Sequence, residues 1–331
     1  MNRRRVGYLN DTHVTLAGSY RPARKLSPAF TVGLFSPSEP IGGGRFDRMA
    51  RNLKKLEQYG HSIVAAANYR AESAYTAGSI KQRVSDFDEL LSRPDVDCLL
   101  STWGGKQCNE LLEYLDFAQV GRTRKPIISF SDGCVLLNAI TAETGVTTFH
   151  GPNVAGKLDE SEYGDLATLS GADMDKGARV FGPDVEWTIW RDGESEGRLF
   201  GGNLNTFALG LTGTKFLELQ EPVIFFWESL GDRPQIIHQQ LTLLVNCGWF
   251  DRVAGMIVGD LMTDPLPEGS EWKRIDVKEA VLNALTAFDL PILKCDSFGH
   301  RSLQNPVVPI GPKCRLKTQH QLVTLEEPAL T

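Results

Sequence analysis

The sequence lacks three features: the long apolar runs of membrane-spanning proteins, the paired cysteines of zinc-binding proteins and the excess of basic residues of nucleic-acid-binding proteins. No apolar run approaches the roughly 20 residues that a membrane-spanning helix requires. The six cysteines are scattered without a Cys-x-x-Cys pair, so we expect no metal site and reduced thiols in the cytoplasm. The formal net charge of −6 argues against a nucleic-acid polymer as partner.

The chain is long for one hydrophobic core, and its pattern changes along its length. At 331 residues, two domains are the default expectation. The basic N-terminus has no apolar segment behind it, so we expect no secretory signal. We predict four segments: a surface or partly disordered extension (1–28), an α/β domain (29–160), a polar connection (161–195) and a smaller, strand-rich α/β domain (196–331).

The first α/β domain is predicted to be a doubly wound parallel sheet of the Rossmann or flavodoxin type. Its apolar strands alternate with helical patterns, which implies right-handed crossovers. Such sheets bind ligands at the carboxyl ends of their strands. Two loops therefore matter, one carrying Gly104 and Gly105 and one carrying Ser131. Between them we expect a helix from Asn109 to Phe117.

Ser131 lies at the most informative point of the sequence. An apolar run from Lys125 stops at Phe130-Ser131-Asp132-Gly133, and a helical pattern begins at once. A hydroxyl on such a strand-to-helix turn can act as a nucleophile, with free N–H groups of the helix start beside it for an oxyanion. Both residues could instead have a structural role. Ser131 could be the N-cap of the helix, and Asp132 could be an acidic residue that the helix dipole favours at the helix start.

Acyl transfer by a serine also needs a base and an orienting carboxylate. Of the histidines, His300 follows a strand and lies in a loop, where it is well placed to act, although a single histidine is more often structural. Glu228 ends the very apolar run Val223–Trp227, so it is either a solvated charge at a strand end or a buried, partnered group. The residues alone leave both choices open.

Taken together, these segments resemble the serine LD-carboxypeptidases and their relatives, the microcin C immunity peptidases. No single motif is specific, but the ordered set is, and it runs from about Val32 to Arg315. The motifs are Ser36-Pro37-Ser38, Ala77-Gly78-Ser79, Gly104-Gly105 with Asn109-Glu110-Leu111-Leu112, Phe130-Ser131-Asp132, Phe149-His150-Gly151-Pro152, Gly201-Gly202-Asn203-Leu204, Trp227-Glu228 and Gly299-His300 with Pro309-Ile310-Gly311.

The resemblance implies a Ser–His–Glu triad assembled between two domains. Ser131 would be the nucleophile, His300 the base and Glu228 its orienter, with the N–H groups of Gly105 and Asp132 as the oxyanion hole. It also implies a homodimer that needs no metal and no cofactor.

Within the family, the sequence looks more like the microcin-immunity branch. The Gly104–Leu112 pattern and the tryptophans ahead of the Gly-Gly-Asn-Leu motif fit that branch. Substrate-binding candidates are Gly104, Lys106, Trp187, Trp190 and Asn203, where the indoles could stack on a nucleobase or simply pack a loop.

Four functions follow from the pattern as hypotheses. The preferred one is hydrolysis of an aminoacyl-nucleotide or short peptide-like conjugate through an acyl-enzyme. The second is removal of the terminal D-alanine from a murein tetrapeptide in cell-wall recycling. The third is a non-catalytic α/β binding module. The fourth is an α/β-hydrolase, which shares the chain order Ser, acid, His, but whose parallel sheet continues to the end of the chain.

Overall fold

The computed structural model describes residues 19–156, 166–171, 173–262, 276–301 and 306–331. The described chain forms two sheets with helices packed against them. No helix in the described ranges is both long and apolar enough to cross a membrane.

The first sheet is the doubly wound parallel sheet that the sequence predicts. Its strands are β1 (Thr31–Phe35), β2 (Ser62–Ala65), β3 (Cys98–Ser101), β4 (Ile127–Ser129), β5 (Thr148–His150) and β11 (Val308–Ile310). They lie in the order β11-β5-β4-β3-β1-β2, in which β1 to β5 are parallel and β11 is antiparallel to β5. The order therefore reverses between β1 and β3, and a crevice forms at the carboxyl ends of the strands at this point.

The helices of this half are α1 (Arg45–Gln58), α2 (Ile80–Ser92), α3 (Phe117–Thr123) and α4 (Gly133–Thr144). A capping box fixes the start of α2, because the Ser79 hydroxyl accepts from Gln82 N and the Gln82 side chain accepts from Ser79 N. Almost every residue of α4 is buried, which explains why its sequence is apolar all round.

The second sheet is mixed and rich in strands. Its strands are β6 (Thr188–Arg191), β7 (Glu194–Asn203), β8 (Val223–Leu230), β9 (Val253–Met262), β10 (Ile292–Lys294), β12 (Lys313–Lys317) and β13 (Leu322–Leu325). The order is β13-β12-β7-β8-β9-β10-β6, with β7 to β10 parallel and the outer strands antiparallel. Three further helices accompany it: α5 (Leu204–Leu211), α6 (Pro234–Asn246) and α7 (Val277–Ala284). Two separate sheets of this kind differ from the single continuous sheet of an α/β-hydrolase.

Helix α4 joins the two sheets through Asn138. The Asn138 side chain donates to Gly201 O at 2.8 Å and accepts from Gly201 N at 2.9 Å, so one buried amide pairs with the backbone of β7. The next residue, Gly202, has a φ of +142°, and a Cβ there would lie 2.3 Å from Cys134 Cβ. Glycine is therefore required for α4 to approach β7 this closely.

The structure departs from the sequence-based expectation at three places. The segment 308–310, expected in the 196–331 domain, pairs with β5 of the first sheet. Residues 1–18 of the predicted extension lie outside the described residues. The rest of the extension is not confined to the surface, because the apolar side chains of Ala23 and Leu26 are buried in the core. Ala23 also pairs with Leu330 through a β-bridge. The helix expected over Asn109–Phe117 is one 3-10 turn, and α3 begins instead at Phe117, where the Asp116 carboxylate caps it.

Candidate active site

Ser131 lies on a strained turn between β4 and α4. Its φ of +59° falls in the left-handed region, which a non-glycine residue rarely adopts. The helix begins at Gly133 after Asp132, and the Ser131 hydroxyl makes no capping bond to it. The side chain instead points towards the second half of the molecule. The interpretation of Ser131 as an N-cap is therefore wrong.

His300 and Glu228 complete a continuous chain of hydrogen bonds with this serine. His300 Nε2 lies 3.1 Å from Ser131 Oγ, and His300 Nδ1 lies 2.7 Å from Glu228 Oε2. With the proton on Nδ1, the imidazole donates to the carboxylate and accepts from the hydroxyl. The Glu228 side chain is fully buried, whereas 17% of the His300 side chain is exposed. The geometry is that of a nucleophile, a base and an orienting group.

The second sheet holds Glu228 and the loop that carries His300. Asn203, at the end of β7, donates through Nδ2 to Glu228 Oε1 at 2.9 Å, so both carboxylate oxygens are satisfied. Asp260 on β9 accepts two bonds from the Arg301 guanidinium, at 2.8 and 3.3 Å, and one from its backbone N–H at 3.0 Å. A Cβ on Gly299 would lie only 2.8 Å from Asp260 Cβ, so glycine allows this close approach.

Two loops of the first sheet bring backbone N–H groups beside Ser131. The N–H groups of Gly105 and Asp132 donate to no described residue. Gly105 has a φ of +153°, and a Cβ there would lie 2.3 Å from Ser38 Oγ. Gly104 packs against Ser131, because a Cβ on it would lie 3.2 Å from Ser131 Cβ. These glycines let the loop pass close to Ser131.

The Asp132 carboxylate ties these loops together. Its Oδ2 accepts from Ser38 Oγ at 2.6 Å and from Cys108 N at 3.0 Å, while Ser38 Oγ accepts from Gln107 N at 3.0 Å. Arg83 adds to this arrangement from α2: it donates to Pro37 O at 2.9 Å and forms an ion pair with Glu110. The buried acid thus orients both loops that surround the Ser131 hydroxyl.

A buried aromatic layer lies behind Ser131 and His300. The Phe130 ring centroid is 4.8 Å from that of His300 and 4.9 Å from that of His150. Burial, together with the nearby His300, lowers the pKa of His150 to about 3. His150 is therefore a neutral packing group here, and its Nε2 has no hydrogen-bond partner among the described residues.

A cavity of about 340 Å³ opens in front of Ser131 and His300. It lies at the point where the strand order of the first sheet reverses. Loops from both halves of the molecule contribute to its wall. The lining residues are Glu39, Arg45, Arg48, Trp103, Gly104, Gly105, Lys106, Phe130, Ser131, Pro152, Asn153, Gly156, Leu230, Gly299 and His300.

The structure brings together some of the predicted substrate-binding residues and not others. Gly104 and Lys106 line the cavity. Asn203 is buried beneath it and bonds Glu228. Trp187 packs at right angles on Phe181, 5.4 Å between ring centroids, and neither it nor Trp190 lines the cavity.

Sequence reasoning missed the cationic side of the cavity. Arg45 and Arg48 belong to the first turns of α1, where charged residues normally face solvent. Trp103 directly precedes Gly104-Gly105, so its position next to a predicted ligand-binding loop was a signal that could have identified it as a cavity residue.

Comparison with known proteins identifies the family. The LD-carboxypeptidase N-terminal domain matches residues 32–151, and the LD-carboxypeptidase C-terminal domain matches residues 196–316. The chain belongs to the LD-carboxypeptidase (peptidase S66) family. It is thus a serine-type carboxypeptidase hydrolase, as the resemblance in the sequence indicated.

Similar proteins fall on both branches of this family. A putative carboxypeptidase of Vibrio cholerae is 29% identical over 72% of this chain and 78% of its own length. The microcin C7 self-immunity protein MccF of Escherichia coli is 28% identical over 72% of this chain and 77% of its own length. The murein tetrapeptide carboxypeptidase of Pseudomonas aeruginosa is 29% identical over 54% of this chain and 59% of its own length.

The fold matches solved structures of MccF. An inactive mutant of MccF without ligand superposes with a TM-score of 0.82 and 25% identity, covering 94% of this chain and 99% of that one. MccF has also been solved in complex with glutamyl sulfamoyl guanosine, with the same TM-score and 24% identity. The predicted α/β fold, with a parallel sheet followed by a strand-rich sheet, is therefore confirmed.

Proposed function

We propose that this protein hydrolyses an amide or acyl-sulfamoyl bond of an aminoacyl-nucleotide or short peptide-like conjugate, through an acyl-enzyme on Ser131. The observation that carries the proposal is the chain of hydrogen bonds from Ser131 Oγ through His300 to the buried Glu228. A binding module without chemistry has no need for a strained serine bonded to a base whose other nitrogen is held by a carboxylate.

The first half of the reaction forms the acyl-enzyme. Ser131 Oγ attacks the carbonyl carbon while His300 Nε2 takes the hydroxyl proton, and Glu228 stabilises the imidazolium through Nδ1–H. The oxyanion accepts hydrogen bonds from the backbone N–H groups of Gly105 and Asp132. His300 then passes its proton to the leaving nitrogen, and the bond between that nitrogen and the carbonyl carbon breaks.

The second half releases the acyl group. A water gives a proton to His300 Nε2 and attacks the ester carbonyl. The tetrahedral intermediate then collapses, Ser131 Oγ regains the proton, and the free acid leaves. No step requires a cofactor or a metal ion.

The aminoacyl-nucleotide class is preferred because of the relatives on that branch. The MccF structure with glutamyl sulfamoyl guanosine and the one with aspartyl sulfamoyl adenosine contain aminoacyl conjugates of nucleosides. The cavity of about 340 Å³ is within the range that a small ligand of this kind needs. The tryptophans Trp187 and Trp190 remain candidates for the nucleobase only if the substrate extends beyond the cavity.

The second candidate is an LD-carboxypeptidase acting on murein tetrapeptide. It is favoured by the murein tetrapeptide carboxypeptidase of Pseudomonas aeruginosa and by a probable murein peptide carboxypeptidase of Bacillus subtilis, which is 25% identical over 93% of this chain. Both candidates use the same acyl-enzyme chemistry, so only the substrate separates them.

We also propose a cytoplasmic homodimer. All six cysteines are free, which fits a reducing compartment. The dimer rests on the resemblance to the family, and light scattering of the purified protein measures it directly.

The test compares wild type with Ser131→Ala on an aminoacyl sulfamoyl adenosine and on murein tetrapeptide. We expect wild type to hydrolyse the sulfamoyl conjugate and Ser131→Ala to lose about 10⁴-fold or more in kcat/KM. Ser92→Ala, an exposed serine on α2, is the matched control and keeps the wild-type rate.

Each other outcome selects a different function. Release of D-alanine alone would select the murein carboxypeptidase. Binding of both compounds without hydrolysis would select the binding module. Full activity of Ser131→Ala would contradict the assignment of the nucleophile.

A further inference from the structure

The cavity wall opposite the triad carries more positive charge than the protein as a whole. Arg45, Arg48 and Lys106 line it with one carboxylate, Glu39. The chain itself has a formal net charge of −6. A local excess of cations in an acidic protein, placed at the mouth of the catalytic cleft, attracts and holds anionic ligands.

Arg45 is oriented for such a ligand. Its guanidinium lies 4.4 Å from the centroid of the Trp103 ring, so the indole supports one face of the planar group. Stacking on an aromatic face leaves the N–H groups on the edge of the fork available for bidentate bonds to a carboxylate or a phosphate-type group. Arg48 lies three residues further along α1, on the same side of the helix.

Arg45 differs from three other arginines of the described chain that hold loops or strands in place. Arg83, Arg198 and Arg301 each pair with a carboxylate at close range. Arg45 is half-buried, yet no described carboxylate lies within 4.0 Å of it, including Glu39 in the same cavity. Its positive charge lines the cavity with no ion-pair partner among the described residues, so it remains available to an anionic ligand.

We propose that Arg45, supported by Trp103 and with Arg48 beside it, binds an anionic group of the substrate. The class is a carboxylate or an acyl sulfamate or phosphate next to the scissile bond. This inference rests on the proposed function, because it places a charge requirement on the substrate of that same cavity. It makes Arg45 a specificity-determining residue rather than a participant in bond making.

The experiment uses matched pairs of charged and neutral ligands. One arm compares murein tetrapeptide with its C-terminal amide, and the other compares an aminoacyl sulfamoyl adenosine with the 5′-aminoacylamido analogue that lacks the sulfamoyl group. Arg45→Met removes the charge and keeps an apolar stem, and Arg45→Lys keeps the charge without the fork. Arg51→Met, exposed on the same helix and outside the cavity, is the control.

For the anionic substrate we expect Arg45→Met to raise KM about 10- to 100-fold, with a kcat change of less than about threefold. Arg45→Lys should recover part of the loss, and the neutral partner should be unaffected. A loss confined to the peptide arm identifies a terminal carboxylate, and a loss confined to the nucleoside arm identifies the sulfamoyl linkage. An equal loss on charged and neutral substrates overturns the proposal.

Calorimetric binding to the Ser131→Ala protein separates this proposal from the proposed function. If this protein binds the anionic ligand at least tenfold more tightly than the neutral one and Arg45→Met removes the difference, the anion site holds even where wild type hydrolyses nothing. If it shows no preference for the anionic ligand in either arm, the anion site is wrong whatever the activity.

Discussion

The two halves of the molecule hold their parts of the proposed triad in different ways. The first sheet presents Ser131 by backbone geometry, on a turn with a φ of +59° between a strand and a buried helix. The second sheet presents Glu228 and His300 by side-chain hydrogen bonds, from Asn203 and through the ion pair of Asp260 with Arg301. The position of Ser131, the proposed nucleophile, therefore depends on the backbone, and that of His300, the proposed base, depends on a network of polar partners.

Glu228→Gln breaks the polar side of this comparison and should have the largest effect. The glutamine amide would donate where the carboxylate accepts, so His300 would be driven to the tautomer with a proton on Nε2 that cannot take one from Ser131. We expect kcat to fall about 10⁴-fold with little change in thermal stability. Glu218→Gln, on an exposed residue before β8, is the control in steady-state kinetics.

Retention of more than about a tenth of the wild-type kcat in Glu228→Gln would show that the carboxylate does not act through the imidazole. In that case Asn203, which in this structure bonds Glu228 and caps α5, would become a candidate for contact with the substrate.

Gly105→Ala tests the backbone side of the comparison. A methyl group would lie 2.3 Å from Ser38 Oγ and 2.9 Å from Glu39 N, and the φ of +153° is unfavourable for alanine. The loop must move, and the oxyanion donor moves with it. We expect kcat to fall about 10²- to 10³-fold while KM changes less.

The matched control for this loop is Gly42→Ala, where a methyl group meets no atom within 4 Å. It should keep the wild-type kcat. Equal kcat values for the two variants would mean that the Gly105 N–H does not stabilise the transition state.

The same contrast explains what the sequence could predict. The turn at Ser131 and the order of strands and helices are local patterns, so they could be read from periodicity and from a strand running into a helix. The pairing of Glu228 with His300 depends on β8 and β9 lying side by side, and the residues alone left both roles open. The motif order supplied by the resemblance was needed to connect them.

Other features depend on tertiary placement and left no local signal. Arg45 has the pattern of a solvated helix residue, and only the reversal of strand order between β1 and β3 brings it over Trp103. Trp187 has an indole that could stack on a nucleobase, yet it packs on Phe181 instead. The strand Val308–Ile310 lies between two strands of the second sheet in sequence, β10 and β12, and still completes the first sheet.

His150 affects stability rather than the chemical step, and its substitution tests how the two halves pack together. It belongs to β5 of the first sheet, and its ring meets Phe226 of the second, 5.6 Å between centroids. Burial lowers its pKa from 6.5 to about 3. Between these values the unfolded chain takes up a proton that the folded protein excludes, so the free energy of unfolding falls as the pH is lowered from about 6.5 to about 3.

In His150→Leu this contribution disappears, because the side chain no longer titrates in either state. Denaturant unfolding of wild type and variant between these pH values should show a shallower pH dependence in the variant, by up to about 1.4 kcal/mol per pH unit. The two curves should run parallel above pH 7, where His150 is neutral in both states. Identical slopes at acidic pH would mean that His150 takes up a proton in the folded protein as readily as in the unfolded chain, so that the two sheets do not exclude water from it.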